Sequence, residues 1–243
     1  MSTASLDPAE IAKFAAMADA WWDPKGAFAP LHRMNPVRLA FLRETILSHA
    51  GRSDTGRRPL EGLSVIDVGC GGGLVAEPMA RLGATVTGLD GAEESVVAAQ
   101  AHAETMGLKI AYRVDTAERL AATGASFDVV LALEIVEHVA DLHAFCDAAM
   151  ALVTPGGLMV VSTINRTLKS RALAITAAER VLRWVPHGTH DYDKLVTPEE
   201  LRGALHALHV EGPFGLRFSP LDGQWRMSND ASMNYFMTAT KAP

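Results

Sequence analysis

Residues 63–90 read LSVIDVGCGGGLVAEPMARLGATVTGLD, and the order of residue types in this stretch sets the fold. Val65-Ile66-Asp67-Val68 is an apolar run of strand length, suited to a buried parallel strand. Gly69, Gly71, Gly72 and Gly73 follow at once, a turn where a ligand can touch bare backbone. Leu74 to Leu82 has helical apolar spacing, and Gly83 is placed to end that helix. Thr85 to Leu89 is a second apolar strand that ends at Asp90. The product is a βαβ unit. Pro78 stands against a tidy helix, because it lacks a backbone donor and should bend or delay it.

Spacing narrows the ligand. The dinucleotide fingerprint G-x-G-x-x-G needs a third glycine where Leu74 stands, so a nicotinamide-dependent oxidoreductase is disfavoured. The pattern present is acid-x-Gly-x-Gly-x-Gly, formed by Asp67, Gly69, Gly71 and Gly73. It resembles the first motif of the class I S-adenosylmethionine-dependent methyltransferases. That resemblance implies a cofactor whose amino-acid end and ribose press on the glycine backbone. It also implies an acid at the end of the second strand for the ribose hydroxyls, and Asp90 sits there. A carboxylate can accept from both hydroxyls of a diol. The plainer alternative is a Rossmann-like turn that binds something else.

Working outward, Pro8 to Trp22 has helical periodicity, with Asp7 as cap and Glu10 three residues later. WWDPKGAFAPLHRMNPVR, residues 21–38, reads as a loop rich in tryptophan, proline and basic groups. It is either a satellite cluster on the core or a lid. Val37 to Ala50 returns to helix, and the polar stretch 51–62 is a linker. Residues 1–50 are thus expected to form a helical cap, and residues 51–243 the main domain. Downstream, helices are predicted over Glu93 to Met106, Asp141 to Leu152 and Thr197 to Leu208. Strands are predicted over Ile110 to Val114, Phe127 to Leu133, Leu158 to Thr163, Phe214 to Phe218 and Asn234 to Thr240. Alternating strands and helices predict an α/β, Rossmann-like fold, with a mostly parallel sheet and helices on both faces. Ligands then bind beyond the carboxyl ends of the strands. Gly69, Asp90, Asp115 and Glu134 all fall at such ends. In a methyltransferase fold the third strand end borders the adenine, so Asp115 and Thr116 join the candidates.

Composition limits the function classes. Hydrophobic residues make up 49% and the net charge is −6, which allows a sizeable core and argues against a nucleic-acid partner. There are two cysteines, Cys70 and Cys146, too few for a disulfide framework or zinc cluster, so a reducing cytoplasm is expected. Cys70 reads as a small turn residue, since no partner base is identifiable.

A second constellation follows the fourth strand: Leu133-Glu134-Ile135-Val136-Glu137-His138. If a helical turn starts there, Glu134, Glu137 and His138 share one face. Two carboxylates and an imidazole suit Mg²⁺ or Mn²⁺. Alternatively, Glu134 contacts the cofactor region, Glu137 is solvated, and His138 orients a loop or acts as a general base without metal.

Several stretches together widen the resemblance: FAAMADAWWDPKGAFAPLHRMNPVR, the glycine unit, EIVEHV, LVTPGG, STINRTLKS and VPHGTHDYDKLVTPEEL. They are similar to the ubiquinone-biosynthesis O-methyltransferases over nearly the whole chain, from about Glu10 to Tyr235. This similarity implies S-adenosylmethionine bound through Arg38, Gly69, Asp90 and Leu133. It implies divalent-cation ligands at Glu134, Glu137 and His138. The implied substrate is a polyprenylated phenol or catechol, methylated on a ring hydroxyl. Other ubiquinone-biosynthesis proteins become candidate partners. Leu133 departs from the methionine found at that position in a family member, which points to a backbone or apolar contact. A methyltransferase acting on another small hydroxyl or amine is the competing enzyme reading. A non-catalytic cofactor-binding membrane scaffold is the non-enzyme reading, disfavoured by Glu134, Glu137 and His138.

Between the fifth strand and the next helix lies an insert, residues 166–195. Its first part, RTLKSRALAITAAERVLRWV, carries five basic residues and one acid. Helical spacing gathers Leu173, Ala177, Val181, Leu182, Trp184 and Val185 on one broad face, with Thr176, Glu179, Arg180 and Arg183 on the other. Such a helix either lies on an anionic membrane surface or is a lid. The first option places the protein at the inner face of the cell membrane, peripherally attached.

Overall fold

The computed structural model describes residues 5–54, 56–171, 192–219 and 222–243. One sheet organises them, in the order β3-β2-β1-β4-β5-β8-β6-β7. Strands β1 (Ser64–Val68), β2 (Thr85–Asp90), β3 (Ala111–Val114), β4 (Phe127–Leu133) and β5 (Val153–Ile164) run parallel to their neighbours. Strands β8 (Asn234–Thr240), β6 (His209–Ser219) and β7 (Gln224–Ser228) complete it antiparallel. The predicted α/β class holds. The apolar runs are continuous because both faces are covered. Ile66 and Val68 enter one core cluster with Phe145 of α6 (Leu142–Ala151) and Leu201 of α8 (Pro198–Ala204). Val65 enters the other, with Met79 of α3 (Ala76–Arg81) and Leu42 and Ile46 of α2 (Ala29–His49).

Several boundaries differ from the sequence reading, each for a local reason. Helix α3 starts at Ala76, two residues later than periodicity suggests, so Pro78 stands in its first turn. A backbone N–H there would lack a helical partner anyway, and the proline breaks nothing. Helix α1 (Pro8–Ala15) is shorter than predicted and is followed by a 3₁₀ turn at Ala18–Ala20. The supposed loop of residues 21–38 turns helical at Ala29, where α2 begins with Pro30 in its first turn. Pro36 lies inside α2, and the helix continues because Met34, Arg38, Leu42 and Ile46 keep burying one face. Two elements were not predicted: α5 (Ala117–Ala121) and β7, which forms a hairpin with β6. Helices α4 (Glu93–Thr105) and α7 (Leu168–Ser170) complete the named elements. Most of the predicted insert helix, and the block around His187, lie outside the described residues. Among the described residues no helix is long and apolar enough to cross a membrane.

Candidate active site

Carboxyl ends of the parallel strands meet the N-terminal segment around a cavity of about 820 Å³, toward the upper end of the usual small-molecule range of about 300–1,000 Å³. Arg38, Asp67, Gly69, Gly71, Asp90, Asp115, Thr116, Leu133, Glu134, Glu137 and His138 all line it. Gly73 does not. Its positive φ of 87° suits the turn, and its α-carbon faces Tyr112 Oη, where a β-carbon would collide. The third glycine of the motif therefore serves the close packing of the turn on the sheet.

The turn is held from two sides. Asp90 accepts from the Gly71 backbone N–H at 2.8 Å and from the Ala92 N–H at 2.9 Å. From above, Trp22 Nε1 donates to the Gly72 carbonyl at 2.9 Å, and Asn35 Nδ2 donates to the Leu74 carbonyl at 2.9 Å. Trp21 lies against Gly71 and Gly72, stacks on Phe28 with ring centroids 3.6 Å apart, and donates to Ser95 Oγ at 3.1 Å. The tryptophan block is both a satellite cluster, with Ala18, Phe28 and Leu74, and a cover over the glycine turn.

Charges inside the cavity are unevenly matched. Arg38 is 3% exposed, and its Nε and Nη2 both donate to Asn35 Oδ1, at 3.0 and 2.7 Å. Burial works against the guanidinium charge, while nearby Glu134 and Asp67 support it. Among the described residues no carboxylate pairs with it directly. Burial pushes the Asp67 carboxyl up to about 7 against the pull of Arg38, and it also raises Asp90. A buried guanidinium with a single amide acceptor, beside two acids reluctant to ionise, suits a zwitterionic ligand with a carboxylate and cationic centres.

The chain leaves β4 differently from the prediction. Glu134 has φ 52°, a left-handed conformation that no other non-glycine among the described residues adopts, and such strain clusters at functional sites. The 3₁₀ turn starts only at Val136, so Glu134 is not a helical neighbour of Glu137. Glu134 is instead held by β5 and β8, and Glu137 by β5: Ser162 Oγ donates to Glu134 at 2.6 Å, Asn234 Nδ2 donates to Glu134 at 3.2 Å, and Thr163 Oγ1 donates to Glu137 at 2.7 Å. Burial, then Glu134, pushes Glu137 up to about 7. His138 turns toward α1, its Nδ1 donating to Glu10 Oε2 at 2.9 Å. Among the described residues no three His, Cys, Asp or Glu side chains gather closely enough to hold a metal ion. The three-ligand geometry expected for Glu134, Glu137 and His138 is therefore not formed, because β5 and β8 hold Glu134, β5 holds Glu137, and α1 holds His138.

Reading the sequence missed Glu10, Ser162, Thr163 and Asn234 as site residues, and placed Trp21 and Asn35 only within the candidate lid of residues 21–38. Glu10 carried a signal, but it pointed to helix capping. The partners on β5 and β8 carried none, since their role depends on strand order.

Comparison with known proteins bears on the family and the fold. Residues 66–161 match the family model described as a methyltransferase domain. The chain is 54% identical over 240 residues to the ubiquinone biosynthesis O-methyltransferase of Caulobacter sp. (strain K31), covering 98% of this chain and 95% of the relative. It is 52% identical over 239 residues to the enzyme of the same description from Sinorhizobium medicae (strain WSM419), covering 98% and 96%. Among solved structures, magnesium protoporphyrin IX methyltransferase from Synechocystis PCC 6803 with bound SAH aligns with a TM-score of 0.62 and 19% identity, over 95% of this chain and 94% of that one. A S-adenosylmethionine-dependent methyltransferase from Clostridium acetobutylicum ATCC 824 aligns with a TM-score of 0.63 and 12% identity, over 96% and 99%. At such identities the structural matches speak for the fold alone.

Proposed function

Because this chain belongs to the ubiquinone biosynthesis O-methyltransferases, we propose that its cavity holds S-adenosylmethionine at the glycine turn and a prenylated phenol against His138. The chain is a S-adenosylmethionine-dependent O-methyltransferase of ubiquinone biosynthesis; the assignment of its residues is our own. Arg38 takes the cofactor carboxylate and Asp90 the ribose hydroxyls. Gly69 and Gly71 give backbone contact, Asp115 and Thr116 border the adenine, and Leu133 packs beside it. The observation that carries this reading is the buried Arg38, which among the described residues makes no direct pair with a carboxylate, beside the turn that Asp90 holds.

When bound, the cofactor supplies an electrophilic methyl group on a positively charged sulfur. With the cofactor bound, the phenolic oxygen would take that methyl group while the carbon–sulfur pair stayed with sulfur, and His138 would accept the phenolic proton. A phenol of pKa near 10 is a weak nucleophile at neutral pH, so alignment and proton removal are what the protein must provide. Glu134, fixed by Ser162 and Asn234, can accept from a second ring hydroxyl and orient a catechol. No step here passes through a divalent cation, since Glu134, Glu137 and His138 do not converge. Turnover of a prenylated catechol with S-adenosylmethionine is expected to persist in excess chelator. Loss of turnover in chelator, restored by Mg²⁺ or Mn²⁺, would overturn the metal-free assignment.

A prenylated substrate lives in the bilayer, so we also propose that the insert touches an anionic membrane surface. Leu168, where the insert begins, is 79% exposed. Arg166 and Lys169 are paired with Glu200 and Asp230, and Arg171 lies over the Tyr192 ring; Arg180 and Arg183, on the polar side that the helical spacing predicts, are the residues to test. Each basic group near such a surface contributes about 1 kcal/mol. The protein should co-sediment with anionic liposomes at low salt and release at high salt. The double variant Arg180→Glu, Arg183→Glu should stay in the supernatant; equal binding by both proteins would sink the proposal.

A further inference from the structure

The N-terminal helix brings an acid to the reaction centre. We propose that Glu10 is a positioning residue that fixes the tautomer and orientation of His138, so that docking of α1 completes the general base. The inference rests on the methyltransferase reading above and adds a residue, 128 positions away in sequence, to its proton-transfer step.

The geometry is that of an acid–imidazole pair. His138 Nδ1 lies 2.9 Å from Glu10 Oε2, and both side chains are largely buried, 13% and 17% exposed. The Glu10 carboxylate accepts, so Nδ1 donates in this pair. A neutral ring that donates from Nδ1 carries its lone pair on Nε2, which is the tautomer a proton acceptor at Nε2 requires. The Phe14 edge stands against the imidazole with centroids 5.1 Å apart and limits ring rotation. Both Glu10 and His138 line the cavity.

The same acid is a junction for the cover. Lys194 Nζ lies 3.5 Å from Glu10 Oε1 and 2.8 Å from Asp7 Oδ2, and Lys13 Nζ lies 3.3 Å from Glu10 Oε2. Leu6 bridges to Val139, and the Ala140 N–H donates to the Ser5 carbonyl at 2.8 Å. The N-terminal segment is thus pinned to the residues just after His138. His138 therefore has this partner only where α1 is docked, because α1 carries Glu10.

A plain structural role for Glu10, pinning α1 to the loop, makes a different prediction, and the acidity of the substrate separates the two. Glu10→Gln keeps shape and removes charge. With an ordinary catechol its kcat should fall about 10–10²-fold, the usual effect of removing a partner that orients a functional histidine. The KM for S-adenosylmethionine should stay within about threefold, marking a loss confined to the chemical step. With a nitrocatechol, whose hydroxyl ionises near neutral pH without help, the loss should shrink to about threefold or less. Glu10→Asp, which keeps the charge, should recover part of the rate with the ordinary catechol. Equal losses with both substrates, or no loss with either, would overturn the inference. His138→Ala, run in parallel, tells its failure from that of the parent reading. If His138→Ala is impaired in the same substrate-dependent way while Glu10→Gln is not, only the positioning role falls. If His138→Ala is also fully active, the base assignment falls with it.

Discussion

Replacing His138 with alanine is expected to lower kcat for an unactivated catechol by about 10²–10⁴-fold, the usual contribution of a positioned general base. Cofactor affinity should hardly change. His138 reaches the cavity from the 3₁₀ turn after β4, and its Nδ1 bond to Glu10 ties it to α1 rather than to the glycine turn. Steady-state kinetics with calorimetric binding of S-adenosylhomocysteine check both halves. A fall of less than about threefold in a folded variant would leave proton removal to another group. Glu137, whose burial and proximity to Glu134 push its carboxyl up to about 7, would be the first to examine.

How much of this was legible in the sequence depended on how local the cause was. The βαβ unit was readable because strand, turn and helix are each written in adjacent residues: Val65–Val68, the glycines, and the apolar spacing up to Gly83. Pro78 looked like a fault only because periodicity placed the helix start before Ala76. The cap was harder. Pro30 and Pro36 argued for a loop, yet the burial of Met34, Arg38, Leu42 and Ile46 along one face outweighed the single backbone bond that Pro36 removes. The exit from β4 was misread for the opposite reason. EIVEHV allows a helical turn, but Ser162 and Asn234 hold the Glu134 carboxylate and accompany a left-handed backbone. That cause lies on strands 28 and 100 residues away. The partnership of Glu10 with His138 was invisible for the same reason, since only the folded topology sets the first helix over the end of β4.

Arg38→Met should weaken binding of S-adenosylmethionine by about 2–5 kcal/mol, roughly a 30-fold to several-thousand-fold rise in Kd, as truncating one partner of a buried, hydrogen-bonded charge pair does. The physical reason is the surroundings of the guanidinium. The guanidinium is buried, and its described hydrogen bonds run to one oxygen, Asn35 Oδ1. Donors in its fork remain for a ligand carboxylate, at a place where Asp67 and Glu134 already favour positive charge. Methionine fills similar space and leaves Asn35 its bond to the Leu74 carbonyl, so the ligand-free protein should keep its fold. Loss of the positive charge should also raise the Asp67 carboxyl further, because Arg38 is what pulls it down. Asp67 would then stay protonated to higher pH, and the variant's residual affinity should depend on pH differently from that of the parent. Asp90→Ala should lose less, about 1.5–3 kcal/mol, the range for hydrogen bonds to a charged group. Part of that loss would come from the Gly71 N–H, which Asp90 also holds. Calorimetry on the two folded variants orders them. An Arg38→Met protein that binds S-adenosylmethionine as tightly as the parent would show that the carboxylate end of the cofactor is held elsewhere, and that Arg38 serves only to balance Asp67 and Glu134.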